Sequence, residues 1–341
     1  MSPASASNNS ADSLIRHLFV PGLLGPMAGL EREDRIALPH LDILLTRADR
    51  VVEPVGYAGG LFALFGVEIP AGADLPTAAV CFLADTGEAP AGFLLHADPL
   101  QLLPDRDRVL AFELGDDPLA GEEVAALVEA FNAHFKDDGV CLFGSPAGRI
   151  YMYCDRTPSI HTHPLSTVIG RSLDPLLPDG EDRRWWHGLL NEIQMLCHAL
   201  EFNREREARG RPVLGGLWFS GGGSLPPEGR GPVARLVGDC ALSRGLLALR
   251  AGVGGDELIV EHAPGRAVMR ADPDAWLQAL AGLEDRMAGL LRDCEALHVH
   301  PGNGTVYRWY ARSAWRLWRR KRSLFERLDA NPEVLRGDKG V

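Results

Sequence analysis

The stretch "GGLWFSGGGSLP", Gly215 to Pro226, runs from an apolar segment into three consecutive glycines, Gly221, Gly222 and Gly223. That composition is shared by phosphate-cradling loops and by tight turns. A phosphate loop wraps an anion with backbone N–H groups where side chains are absent, and it adds a lysine or a following helix whose N-terminus faces the charge. Neither is present here. No Gly-Lys-Ser/Thr follows, and the prolines of "SLPPEGRGP" stand where the helix would begin. The local reading is a strand running into a tight turn, so the fold has to be read outward from this point.

The chain of 341 residues is 46% hydrophobic, enough for two domains of ordinary size with a sizeable core. No apolar run approaches a membrane span, and the start "MSPASASNNSADS" lacks the basic and apolar regions of a signal peptide. These features predict a cytoplasmic protein with a disordered polar leader over residues 1–13. Six cysteines, Cys81, Cys141, Cys154, Cys197, Cys240 and Cys294, form no C-x-x-C pair and are read as buried thiols. The formal net charge of −11 argues against a generic nucleic-acid binder. It is unevenly placed: Arg308 to Arg327 holds eight basic residues against one acidic, so that segment carries +7 and the remainder −18.

Apolar and β-branched runs alternate with helix-period runs, the pattern of an α/β protein. "LIRHLFVPGLLG" reads as strand and loop, "LPHLDILLTRAD" as a helix, and "TAAVCFLAD" and "RVLAFEL" as strands. "AGEEVAALVEAFNAHF" is a helix with an acidic first turn, "GRIYMYCD" a strand, and "EDRRWWHGLLNEIQMLCHALEFNREREARG" one long helix stopping at Gly210. "DPDAWLQALAGLEDRMAGLLRDC" reads as helix, "ALHVH" as a short strand, and "SAWRLWRRKRSLFERL" as a terminal amphipathic helix that docks by Trp315, Trp318 and Phe325.

In order and spacing, "FLLHADPLQLLPDRDRVLAF", "EEVAALVEAFNAHF", "THPLSTVIGRSLDPLLP" and "NREREARGRPVLGGLWFSGGG" resemble one family: the archaeal-type, cofactor-independent phosphoglycerate mutases of the alkaline phosphatase superfamily. The likeness extends to "LFVPGLLG", "VGYAGGLFALFG" and "LHVHPGN", covering about Leu14 to Asn303. Within this group the chain most resembles the RpfE-type regulatory proteins. The resemblance implies an α/β alkaline-phosphatase-like three-layer sandwich with an inserted smaller α+β cap domain. It places the core at 14–90 and 211–328, the cap and its return helix at 91–210, and a tail at 329–341. Gly221, Gly222 and Gly223 then lie where the cap returns the chain to the core, and serve chain geometry.

The mutase chemistry implied by the family holds a serine nucleophile between two divalent metals, which need a shell of Asp and His ligands. By this resemblance Tyr57 stands at the nucleophile position, and Pro21, Ala58 and Val299 stand at metal-ligand positions; His300 is retained. Arg106 and Arg108 are kept, at different spacing, from an arginine cluster that grips phosphate, and Asn203 is kept from the family's "H-P-V-N" step, whose His is Leu200 here. An alternative metal set is His161 with His163 and His298 with His300, whose i, i+2 spacing places both rings of each pair on one strand face.

The expected function is non-catalytic: a degenerate relative of the mutases acting as a regulatory or binding protein for a phosphorylated metabolite through Arg106, Arg108 and Asn203, with no cofactor. One alternative is an active metal-dependent phosphoglycerate mutase or phosphotransfer enzyme, which would use Mn, Mg or Zn. Another is an adaptor that binds an acidic protein partner through Arg308–Arg327, nucleic acid being disfavoured by the overall charge.

Overall fold

The computed structural model describes residues 14–25 and 29–330. The leader read over 1–13 and residues 331–341 of the tail lie outside the described residues. In chain order the elements are β1 (Ile15–Phe19), α1 (Pro39–Arg47), β2 (Asp49–Val52), α2 (Tyr57–Leu64), α3 (Thr77–Thr86), β3 (Phe93–Asp105), β4 (Arg108–Glu113), α4 (Gly121–His134), β5 (Val140–Gly144) and β6 (Ile150–Cys154). They continue with α5 (Leu165–Val168), α6 (Arg183–Ala199), α7 (Glu201–Ala208), β7 (Gly216–Gly223), β8 (Val233–Val237), α8 (Ala241–Ala248), β9 (Asp256–Val260), α9 (Ala263–Met269), α10 (Pro273–Asp293), β10 (Ala296–His300), β11 (Thr305–Tyr310) and α11 (Leu324–Asp329). The chain divides into two compact units. The first takes residues up to Gly66, Arg230–Asp239 and Ala251 onward; the second takes Val67–Gly229 and Cys240–Arg250. The stretch 91–210, read from sequence as a cap, lies within the second.

The first unit is built on a six-stranded sheet in the order β2-β11-β10-β1-β9-β8. Strands β10, β1, β9 and β8 run parallel, while β11 is antiparallel to both of its neighbours. Alternation along β1 and β10 sends Leu18, Leu297 and Val299 into an apolar cluster with α1, α10 and α11. Helix α10 supplies Trp276, Leu280, Leu283 and Met287, spaced to form one helical stripe. Its buried Glu284 accepts the otherwise orphaned N–H groups of His40 and Leu41 at 2.7 and 3.0 Å, fixing the start of α1. Helix α2 meets the opposite face, where Gly60 approaches the Phe19 ring closely enough that a Cβ would lie 3.0 Å from it. A sheet with helices on both faces is the three-layer α/β arrangement.

The second unit holds a five-stranded antiparallel sheet, β4-β3-β6-β5 with β7 along the other side of β3. Helices α4 and α6 pack over one face through Phe131, Trp186 and Ile193 against Leu95, Met152 and Phe219. Helices α3 and α8 pack on each other at Gly245, where a Cβ would overlap the Val80 carbonyl.

Several expectations are corrected. "TAAVCFLAD" is α3 rather than a strand: its Ala78, Ala79, Val80 and Cys81 are all buried, and a short continuous apolar run carries no period that separates helix from strand. The long helical pattern breaks at Leu200, which is extended (φ −66, ψ 132) between α6 and α7. Strand β7 continues through the three glycines instead of ending before them. Gly221 sits at φ +65, and a Cβ there would overlap Thr77 Oγ1, so both its conformation and its close contact require glycine.

The terminal segment is not one helix. "TVYRWY", rich in β-branched and aromatic residues, forms β11; a 3-10 turn (Ala311–Trp315) follows, and only Leu324–Asp329 is α-helical. Arg316 and Arg319 hold the intervening chain by donating to Asp49 and to the carbonyls of Arg47 and Ala48. Phe325 is buried, but Trp315 and Trp318 are each 78% exposed, so the predicted indole docking does not occur. Of the cysteines, Cys141 is exposed and Cys240 half-buried; the other four are buried.

Candidate functional site

Strands β1, β9 and β10 end in register, with Phe19 beside Val260 on one side and His300 on the other. The carboxyl ends of parallel strands are where open α/β sheets place their sites. Here that edge gathers the positions that the sequence marked far apart. Val20 donates to the His300 carbonyl at 2.9 Å, placing Pro21 directly beyond the strand, and Gly56 donates to the Gly302 carbonyl at 2.9 Å, placing Tyr57 and Ala58 beside it at the start of α2.

The sheet face at this edge is lined by rings. His17 and Phe19 of β1 pair in register with His298 and His300 of β10, so all four side chains share one face. His300 stacks on Phe19 with centroids 4.1 Å apart, and Tyr57 stands edge-on to both Phe19 and His262. Three hydrogen bonds join four titratable groups in series: Glu53 Oε2 to His300 Nδ1 at 2.7 Å, His300 Nε2 to His17 Nδ1 at 3.1 Å, and His17 Nε2 to Asp256 Oδ2 at 3.3 Å. Each of these side chains is about nine-tenths buried or more.

Burial, with His300, His298 and Arg308 close by, holds the His17 pKa down at about 3. Burial and the neighbouring Arg308 and His300 hold His298 at about 4. Both rings are therefore neutral at pH 7. A neutral His17 that donates through Nε2 to Asp256 accepts at Nδ1 from His300 Nε2–H.

This donor set does not fit a two-metal centre. Proline, alanine and valine offer no ligand at 21, 58 and 299, and the Val299 side chain lies in the apolar cluster on the face opposite His300. Both ring nitrogens of His300 are engaged, one by Glu53 and one by His17. Among the described residues no group of three or more His, Cys, Asp or Glu side chains is placed to hold a metal ion.

No protein-family model and no curated protein matches the chain. Solved structures similar to it include two of low identity. One is a cofactor-independent phosphoglycerate mutase from Thermoplasma acidophilum, 15% identical over 88% of this chain and 90% of that one, with a TM-score of 0.36. The other is the PH0037 protein from Pyrococcus horikoshii, 13% identical over 96% of this chain and 99% of that one, with a TM-score of 0.45. At these identities the likeness concerns the fold alone.

The remaining sequence candidates lie in the second unit and do not converge. Arg106, at φ +56, and Arg108 sit on the exposed β3–β4 hairpin, alternating with Asp105 and Asp107 so that the tip carries no net charge. Asn203 is buried, and its amide is taken up by backbone: it donates to the carbonyls of Cys197 and Leu214 and accepts the Leu214 N–H, each at 2.7 Å. His161 forms an isolated bridge with Asp179 and points Nδ1 at Asp74 at 3.4 Å, while the exposed His163 accepts the Trp218 indole N–H at its carbonyl. Sequence reasoning missed His17, Glu53 and Asp256. The available signal was a histidine inside the apolar run "LIRHLFV", a position that needs a polar partner once buried.

Proposed function

We propose that the chain is a non-catalytic regulatory or binding protein on a phosphoglycerate-mutase-like fold, in the manner of the RpfE-type proteins it resembles. One observation supports this best: His300, the ligand-type residue retained at the site, has both ring nitrogens engaged within a buried hydrogen-bonded chain. Metal ligation needs an unprotonated ring nitrogen with a free lone pair. Recruiting His300 would break one of these bonds and leave Glu53 or His17 buried without its partner. A serine-type phosphoryl intermediate also has no nucleophile at position 57, where Tyr57 is wedged between Phe19 and His262. The test is an assay of 2- and 3-phosphoglycerate interconversion and of phosphate-ester hydrolysis with Mn, Mg or Zn present. No turnover above the protein-free rate is expected, and turnover that scales with protein concentration would reject the reading.

A second reading, an adaptor for an acidic partner, is favoured by the exposed apolar triplet of the terminal segment. Trp315, Leu317 and Trp318 keep 78, 71 and 78% of their surface open, flanked by Arg312, Arg320 and Arg322. Contiguous exposed indoles on a basic surface are uncommon without a partner. The double variant Trp315→Ala/Trp318→Ala should melt within about 1 °C of the parent, since exposed substitutions stay within about 0.5 kcal/mol. Arg320→Glu/Arg322→Glu, also at exposed positions, should lose binding to polyglutamate; retained binding would remove this reading.

A further inference from the structure

Within the second unit, a cavity of about 380 Å³ opens beside the glycine turn of β7. Ile69, Phe93, Leu95 and Ile160 line it with several prolines, and the backbone of Gly222 and Gly223 forms part of the wall. The glycines shape it: a Cβ on Gly222 would meet the Phe93 ring at 2.8 Å, and one on Gly223 would meet Pro76 at 2.5 Å. The volume lies in the range of small-molecule sites, typically about 300–1,000 Å³, and the combination of apolar walls with few polar groups is theirs as well.

The charged side chains at this cavity are Glu68 and Asp74, with His161 beside them; among the described residues no lysine or arginine lines it. Asp74 is fixed in place. Its Oδ2 accepts from the Thr162 N–H at 2.8 Å and the Thr162 hydroxyl at 2.6 Å, and its Oδ1 faces His161 Nδ1 at 3.4 Å. A carboxylate has room for about four donors, so acceptor capacity remains. A phosphate here would meet two carboxylates and no cation, whereas an ammonium group would meet an oriented carboxylate and an aromatic wall.

We propose that the second unit binds a small organic cation in this cavity, a compact apolar or aromatic body whose ammonium group sits against Asp74. The site goes beyond the non-catalytic reading and does not depend on it, because no residue of the His300 chain takes part.

The test uses the full-length protein and three probes of one size: 2-phenylethylammonium, neutral 3-phenylpropanol and anionic phenyl phosphate. Titration calorimetry should give saturable binding of the ammonium probe by about 10 mM, weaker binding of the alcohol, and none of the phosphate ester. Asp74→Asn should weaken the ammonium probe about tenfold, about 1.4 kcal/mol, and leave the alcohol unchanged, since the charged partner of the ammonium is lost and the apolar walls are kept. Glu68→Gln, at an exposed position, is the companion variant should Asp74→Asn fail to fold; it should weaken the ammonium probe about twofold to fivefold, as expected for a partly screened charge. Ile160→Trp, filling the cavity, should abolish binding of both the ammonium and the alcohol. Tighter binding of phenyl phosphate than of the ammonium, no saturable ammonium binding, or ammonium binding indifferent to the Asp74 and Glu68 changes would overturn the proposal.

Discussion

Replacing Arg206 by methionine should destabilise the protein by about 3–5 kcal/mol, the cost of breaking a buried ion pair from one side. The guanidinium is fully buried, pairs with Glu123 at 2.9 and 3.0 Å, and donates to the carbonyls of Asp117, Pro118 and Pro212. Those five partner atoms tie α7 to the start of α4, because Glu123 also accepts the Ala120 N–H that opens that helix. Methionine matches much of the volume, so the loss isolates the polar network: Glu123 is left buried with only the more distant Arg211 at 3.8 Å, and three carbonyls lose their Arg206 donors. Adding Glu123→Gln removes the stranded charge and should recover part of the loss. Urea unfolding at pH 7 measures both; a single-variant loss under about 1 kcal/mol would mean that the network contributes specificity more than stability.

The second large effect is on acid stability. His17 and His298 titrate in the folded chain near 3 and 4, below the 6.5 of an exposed histidine. Below about pH 6.5 the unfolded chain takes up protons that the folded chain refuses, so stability is fully present above 6.5 and is lost as pH falls toward 4 and then 3. The slope approaches about 1.4 kcal/mol per pH unit for each ring, several kcal/mol between pH 6.5 and 4.5 for the pair. That window lies above the range in which most carboxylates titrate, which separates this effect from general acid unfolding. His17→Phe should flatten the profile while retaining a ring on the same sheet face. A parent protein equally stable at pH 4.5 and 7.5 would contradict the neutral, buried assignment.

The sequence was informative where a period survives in one dimension. The heptad-like spacing of Trp276, Leu280, Leu283 and Met287 made α10 legible, and the alternation in "ALHVH" placed His298 and His300 on one face of β10. It failed where neighbours decide. Ala78–Cys81 is apolar in either conformation, and what makes it helical is the packing of α3 against α8 through Gly245. The terminal segment has helical spacing of aromatics, yet Arg316 and Arg319 find Asp49 and backbone carbonyls that no local pattern announces. The candidate site shows the same limit. His300 was legible as a retained residue, but its partners come from positions 17, 53 and 256, joined by the parallel pairing of β1 with β10 and β9 and by the loop after β2.

Metal content measured together with turnover tests most directly whether the strand-end edge is closed by its own side chains. Protein purified without chelator is analysed for Mn, Mg and Zn and run in a coupled mutase assay, beside His300→Ala. The account predicts metal well below one equivalent, no measurable turnover, and no difference in either between the parent and His300→Ala. Near-stoichiometric bound metal with turnover that His300→Ala abolishes would contradict it.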